Sequence, residues 1–166
     1  MTKIQIGHYS KKMLNNKKVL VTGSNGQLGK TLQKKCLDKN DFDWIFLPKA
    51  KLDIIKIDEL KAAFKRYNPK FCINCAAFTN VLKSEKQPAV AYKINVEGVK
   101  NLTQVCNDNK AVMIHVSTDY VFDGTKKRLY VENDKANPLN TYGMTKHLSE
   151  KHVIENANFG YIIRTS

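Results

Sequence analysis

The sequence predicts an α/β fold built on a doubly wound parallel sheet, and three observations carry that reading. An apolar run of strand length, Val19 to Val21, leads at once into three glycines spaced three apart, Gly23, Gly26 and Gly29: a strand, a tight turn and a helix start. From residue 18 onward, short apolar runs alternate with helical patterns, the signature of parallel strands joined by crossover helices. A length of 166 residues with 42% hydrophobic content suits one folded unit with a real core.

The elements follow in order. Residues 1–17 read as a mobile N-terminal extension ahead of a domain over residues 18–166, because the apolar residues there are isolated among lysines. The first helix runs from Gly26 to Leu37, with Leu28, Leu32 and Cys36 on one stripe. Asp43 to Leu47 reads as a second, buried strand, and a helix over 58–67 is stopped by Asn68-Pro69. Phe71 to Cys75 is the third strand. Pro88 then opens one long helix with apolar spacing through Val90, Ile94, Val99, Leu102 and Val105. Val112 to Val116 and Tyr161 to Thr165 complete the sheet, with a helix through Tyr142 and Lys146 between them.

Composition excludes several classes of function. No apolar run approaches the ~18 residues of a membrane span, and the N-terminus lacks the apolar core of a secretory signal, so a cytoplasmic protein with no membrane partner is expected. The net charge of +13 is large, yet the lysines are scattered in ones and twos. That describes a solvated surface and not a nucleic-acid partner. Cys36, Cys72, Cys75 and Cys106 form no disulfide framework, and Cys72 and Cys75, three apart on a strand, face opposite sides as small buried residues. The four histidines show no ligand spacing, so no metal is expected.

Chemistry concentrates at the strand ends. Gly23 lets the chain reverse, Gly26 lets backbone N–H groups approach a pyrophosphate, and the helix start near Gln27 offers its positive end to the phosphates. The residue after the second strand meets the adenosine ribose in such a fold. Here Pro48-Lys49-Ala50-Lys51 supplies no acid, which favours NADPH over NADH, with Lys49 or Lys51 on the 2′-phosphate or else merely solvated. Ala76-Ala77-Phe78-Thr79 follow the third strand, where small residues allow a cofactor backbone to come close. The fourth strand delivers Ser117-Thr118-Asp119-Tyr120-Val121-Phe122-Asp123-Gly124, so the Thr118 hydroxyl can hydrogen-bond a substrate carbonyl and Asp119 can reach the substrate. Tyr142 and Lys146 are four apart, on one helix face. An ammonium beside a phenol lowers its pKa from near ~10 toward the range of a useful acid or base.

These motifs together resemble the short-chain dehydrogenase/reductase family in its extended, nucleotide-sugar branch. The run Asn74 to Val81 with Lys83 and Glu85, and the run Ser117 to Gly124, are similar to the dTDP-4-dehydrorhamnose reductases, although Leu82 stands where an acid is usual. The resemblance implies a Rossmann-like NAD(P)-binding fold and cofactor contacts from Gly23, Asn25, Gly26, Gln27, Leu28, Ala76, Ala77, Phe78 and Thr79. It adds Asp53 bonding the adenine edge, Ile54 packing on the base, and Asn95 supporting the lysine; Asp53 read alone is equally a turn residue. It further implies NADPH (or NADH) as cofactor, Thr118, Tyr142 and Lys146 as catalytic groups, Tyr142 and Lys146 also contacting the cofactor with the lysine on the nicotinamide ribose, and a 4-keto nucleotide-sugar bound by Thr118 and Asp119 where strands one and four part. A homodimer stays open.

The same resemblance makes the chain, which stops after Arg164-Thr165-Ser166, the cofactor-binding part with the C-terminal substrate lobe absent. NADPH binding with poor sugar reduction is therefore expected of these residues alone. The alternative from another class is a non-catalytic dinucleotide-binding module, resembling the regulatory subunit of methionine adenosyltransferase.

Overall fold

The computed structural model describes residues 17–36 and 41–166; the proposed extension up to residue 16 and the end of the first helix at Leu37 lie outside the described residues. Five parallel strands form one sheet in the order β2-β1-β3-β4-β5. They are β1 (Lys18–Thr22), β2 (Asp43–Leu47), β3 (Phe71–Asn74), β4 (Val112–Thr118) and β5 (Gly160–Thr165). The helices are α1 (Gln27–Cys36), α2 (Ile57–Tyr67), α3 (Val81–Lys86), α4 (Pro88–Tyr92), α5 (Gly98–Asp108) and α6 (Thr141–Asn156). The chain winds outward through α1 to β2, then returns past β1 to β3, β4 and β5. Right-handed crossovers place α1 on one face and α2, α5 and α6 on the other. The sheet is doubly wound, Rossmann-like, as the alternation of runs required.

The core lies under the second group of helices. Leu20, Cys72 and Met113 of the sheet meet Leu60 and Phe64 of α2, Val99, Leu102 and Val105 of α5, and Val153 of α6. Apolar residues recur at three- and four-residue spacing on these helices, so each presents one stripe to one face of the sheet. At about 25 cal/mol per Å² of apolar surface removed from water, this packing dominates the stability of the fold.

Four expectations change. The direction reversal falls between β1 and β3, not between strands one and four, because the crossover through α2 seats β3 directly beside β1. β2 is the sheet edge and is only half-buried, so its apolar run reflects one covered face. In α1 the stripe of Leu28, Leu32 and Cys36 does not form the buried face: Gly29 is buried, while Leu28 is exposed. A side chain at Gly29 would strike the backbone of Ser24, 2.6 Å away, so the lack of a Cβ lets the helix lie close to the turn. Finally, the long helix after Pro88 is broken. A π-helical turn, Lys93–Glu97, separates α4 from α5, and α3, which the apolar spacing did not signal, precedes them.

Candidate active site

The turn after β1 is set by Gly23, at φ +61°. A Cβ there would lie 2.6 Å from the Ala76 nitrogen, so only glycine lets this turn press against the chain leaving β3. The result is a groove along the carboxyl ends of the strands. One compartment, about 260 Å³, is bordered by Gly23, Asn25, Lys49, Asp53, Ile54, Ala76 and Phe78. The other, about 530 Å³, is bordered by Gln27, Leu28, Thr79, Thr118, Asp119, Tyr142 and Lys146. Gly26, Cys75 and Ala77 border both, which makes the two continuous. The ten-residue α1 opens at the junction, with its first-turn N–H groups unpaired within the helix by geometry.

At the far end, Thr118, Tyr142 and Lys146 converge. Thr118 closes β4; its Oγ1 accepts from Tyr120 N at 3.2 Å and donates to Asp119 Oδ1 at 3.1 Å. Tyr142 stands on the first turn of α6, edge-on to Tyr120 at 5.8 Å between ring centroids. Burial pushes the Tyr142 phenol above its ordinary pKa, and a hydrogen bond with Thr118 opposes that shift. Lys146 is buried one turn on, and its Nζ donates to Val116 O at 2.7 Å. Burial brings its pKa down to about 8. The expected tuning of Tyr142 by Lys146 is thus not what this geometry shows, because the ammonium is directed at β4 and burial dominates the phenol.

The start of α6 is fixed from three sides. Asn140 Oδ1 accepts from Gly143 N at 2.8 Å, an N-cap. Glu85, at the end of α3, accepts from Thr141 N at 2.6 Å and Thr141 Oγ1 at 2.9 Å, adding negative charge at the helix N-terminus. A side chain at Gly143 would collide with the Tyr120 carbonyl, so glycine lets α6 approach the turn after β4 and bring Tyr142 to Thr118. Glu85, Asn140 and Gly143 were not singled out as site residues; Asn140 just ahead of the helix through Tyr142 and Lys146 was a readable capping signal.

Other residues fall differently from expectation. Asn95 does not face the groove: it is fully buried, its Oδ1 accepting from Phe78 N at 2.7 Å and its Nδ2 donating to Phe78 O at 3.1 Å and Thr145 Oγ1 at 2.9 Å. It ties the strand-end loop to α6. Ile54 borders the groove, but its side chain packs where a Cβ on Gly98 would sit, so it belongs as much to the core. Asp53 Oδ1 accepts from Ile55 N at 3.2 Å, the turn role, at the groove margin. Lys49 borders the groove, and Lys51 is exposed beyond its lining. Cys72 is buried beside Cys106, whereas Cys75 is no buried filler and borders both compartments. Leu82, in the place of the usual acid, is 76% exposed, so its replacement of that acid leaves no buried contact unmade.

The family model described as RmlD substrate binding domain matches residues 17–166. The chain belongs to this RmlD family. Among its relatives, the dTDP-4-dehydrorhamnose reductase of Aggregatibacter actinomycetemcomitans is 36% identical over 149 residues, 90% of this chain and 51% of that protein. That of Streptomyces griseus is 38% identical over 148 residues, 89% of this chain and 48% of its own length. The RmlD likeness extends to solved structures. A dTDP-4-dehydrorhamnose reductase from Bacillus anthracis, in complex with NADP, superposes with a TM-score of 0.87 at 37% identity, covering 91% of this chain and 53% of that one. The chain spans about half the length of the curated RmlD relatives it matches. Among the described residues, no helix is long and apolar enough to cross a membrane.

Proposed function

We propose that this chain binds NADPH along the groove and supplies the groups that activate and protonate the C4 carbonyl of a nucleotide-sugar, dTDP-4-dehydro-β-L-rhamnose, giving dTDP-L-rhamnose. The observation that carries the reading is the convergence of Thr118, Tyr142 and Lys146 at one end of a groove whose other end is the Gly23 turn. The names of the relatives support it. The groove suits a dinucleotide: the Gly26 N–H is engaged by Gly23 O at 3.0 Å, and the first-turn N–H groups of α1, unpaired within the helix, are left for phosphate oxygens.

NADPH, when bound, supplies the hydride. Thr118 polarises the carbonyl oxygen, and Tyr142, a phenol protonated at neutral pH and pushed further up by burial, gives its proton to the oxygen as negative charge develops there. Lys146 lines the same compartment and orients the ribose, while Asp119 meets the sugar. Lys49, at the adenosine end, pairs with the 2′-phosphate. A cytoplasmic site of action goes with this reading, since all four cysteines are free thiols. A non-catalytic module would need neither the phenol, the hydroxyl nor the lysine at one spot.

Titrating the 166-residue chain with NADPH, followed by nicotinamide fluorescence, tests the reading. Saturable binding is expected, with NADPH oxidation on adding the keto sugar far slower than in a full-length relative. No binding would overturn the reading; turnover equal to the full-length enzyme would overturn the assignment of only part of the sugar site to these residues. Lys49→Ala should weaken NADPH about tenfold and leave NADH unchanged, because one charge-assisted contact to phosphate is lost. Competition titrations with the two cofactors read this directly.

A further inference from the structure

Beneath the groove, on the sheet face covered by α5 and α6, a polar row crosses three strands. Thr22 of β1, Asn74 of β3 and His115 of β4 are register partners, each no more than 1% exposed. Their hydrogen bonds fix where each proton lies. Asn74 Oδ1 accepts from Thr22 Oγ1 at 2.7 Å and from Ala76 N at 3.2 Å, so that atom is the amide oxygen and its partner is the NH₂. The NH₂ stands 3.2 Å from His115 Nδ1, which must accept and so carries no proton. The imidazole is then neutral, with its proton on Nε2. Nε2 donates to Ser149 Oγ at 2.9 Å, and Ser149 donates onward to Lys146 O at 2.7 Å.

Lys146 Nζ lies 3.3 Å from that same Nε2. A lone pair at this position would accept a hydrogen bond from the ammonium; an N–H cannot. The amine is left to Val116 O.

We propose that His115 is a positioning residue for Lys146: Asn74 locks its tautomer so that an N–H edge faces the amine, which leaves the lysine to Val116 O and seats it on β4. This rests on the reading of Lys146 as a working group of the groove. The electrostatics agree in direction. Burial lowers Lys146, with Glu150 from its own helix and Cys75 from beyond β3 opposing. Burial and then Lys146 push His115 well below the usual imidazole range. Arg164 from β5 holds Glu150 at 2.8 and 2.7 Å, with His147 Nδ1 3.6 Å away, so that carboxylate is engaged elsewhere. The row links the base of the Gly23 turn to the lysine across the sheet.

The test is nitrogen NMR on the labelled chain without cofactor or sugar, so it fails independently of hydride transfer. Expected is a His115 ring with bare Nδ1 and protonated Nε2 that does not titrate between about pH 5 and 9. In His115→Gln the amide oxygen can turn to the ammonium, and the Lys146 titration should move up by about one pH unit. In Asn74→Asp the carboxylate accepts from Nδ1, the tautomer reverses, and Lys146 should move the same way. A protonated Nδ1 in the unmodified chain, a ring titrating near the ordinary ~6.5, or a Lys146 titration unmoved in the variants would overturn the proposal. Should either variant fail to fold, the tautomer in the unmodified chain still decides.

Discussion

Tyr142→Phe is expected to abolish hydride transfer to the keto sugar, lowering kcat by about 10²- to 10⁴-fold, while NADPH affinity stays unchanged. The substitution removes one O–H and nothing else of size. The ring keeps its edge-on contact with Tyr120, and α6 keeps its cap from Asn140 and its clamp from Glu85, so the groove retains its shape. What is lost is the hydroxyl beside Thr118 that, on the proposed reading, gives the proton; burial pushes its pKa above the ordinary phenol value. Single-turnover oxidation of NADPH at saturating sugar measures the chemical step, and fluorescence titration measures binding. A variant that reduced sugar as fast as the parent would remove Tyr142 from the mechanism. Reduced cofactor affinity with an unchanged rate would make it a binding residue.

The largest stability effect should come from Arg164→Met. Glu150 of α6 is 1% exposed, and Arg164 of β5 meets it with two charge-assisted hydrogen bonds while lying 5.0 Å over the Phe122 ring. Taking away the guanidinium leaves a carboxylate buried without its partner, at a cost of about 3 kcal/mol. Adding Glu150→Gln to the same chain should restore much of that loss, since the stranded charge is gone. Urea denaturation of the two single variants and the double variant measures the coupling. Strictly additive losses would show that the pair contributes nothing beyond its separate parts.

Much of this architecture was legible in the chain itself. Strand–glycine–helix and the repeated apolar runs predicted the parallel sheet, because a strand buried on both faces reads as a continuous apolar run. That the end of β4 and the Tyr142/Lys146 pair border one compartment was legible from a strand end and from residues four apart sharing a helix face. What was not legible depended on contacts between segments distant in sequence. Asn95 looked like a polar residue near the lysine, but its partners, Phe78 and Thr145, are 17 and 50 residues away. Cys75 looked like core, and only the position of β3 beside β1 opens it to the groove. Asn74 and His115 were the missed signal: polar residues inside otherwise apolar strands need partners. The place of the reversal was missed because strand order follows from crossover direction, which no local pattern records.

The π-helical turn at Lys93–Glu97 carries one consequence for how this chain can vary in length. A π turn holds roughly one residue more than the α-helical path it replaces. Because that extra residue is absorbed within the one turn, the flanks keep nearly the facing they would have in an unbroken helix: Ala91 stays buried before the turn, and Val99, Leu102, Val105 and Cys106 stay buried after it. Removing one residue here, other than the buried Asn95, would let the turn close to an ordinary helix with both buried faces kept. Removing a residue from within α5 would instead turn everything beyond it by about 100° and carry the stripe off the sheet. Shortened forms should therefore be tolerated at Lys93–Glu97 and not inside α5.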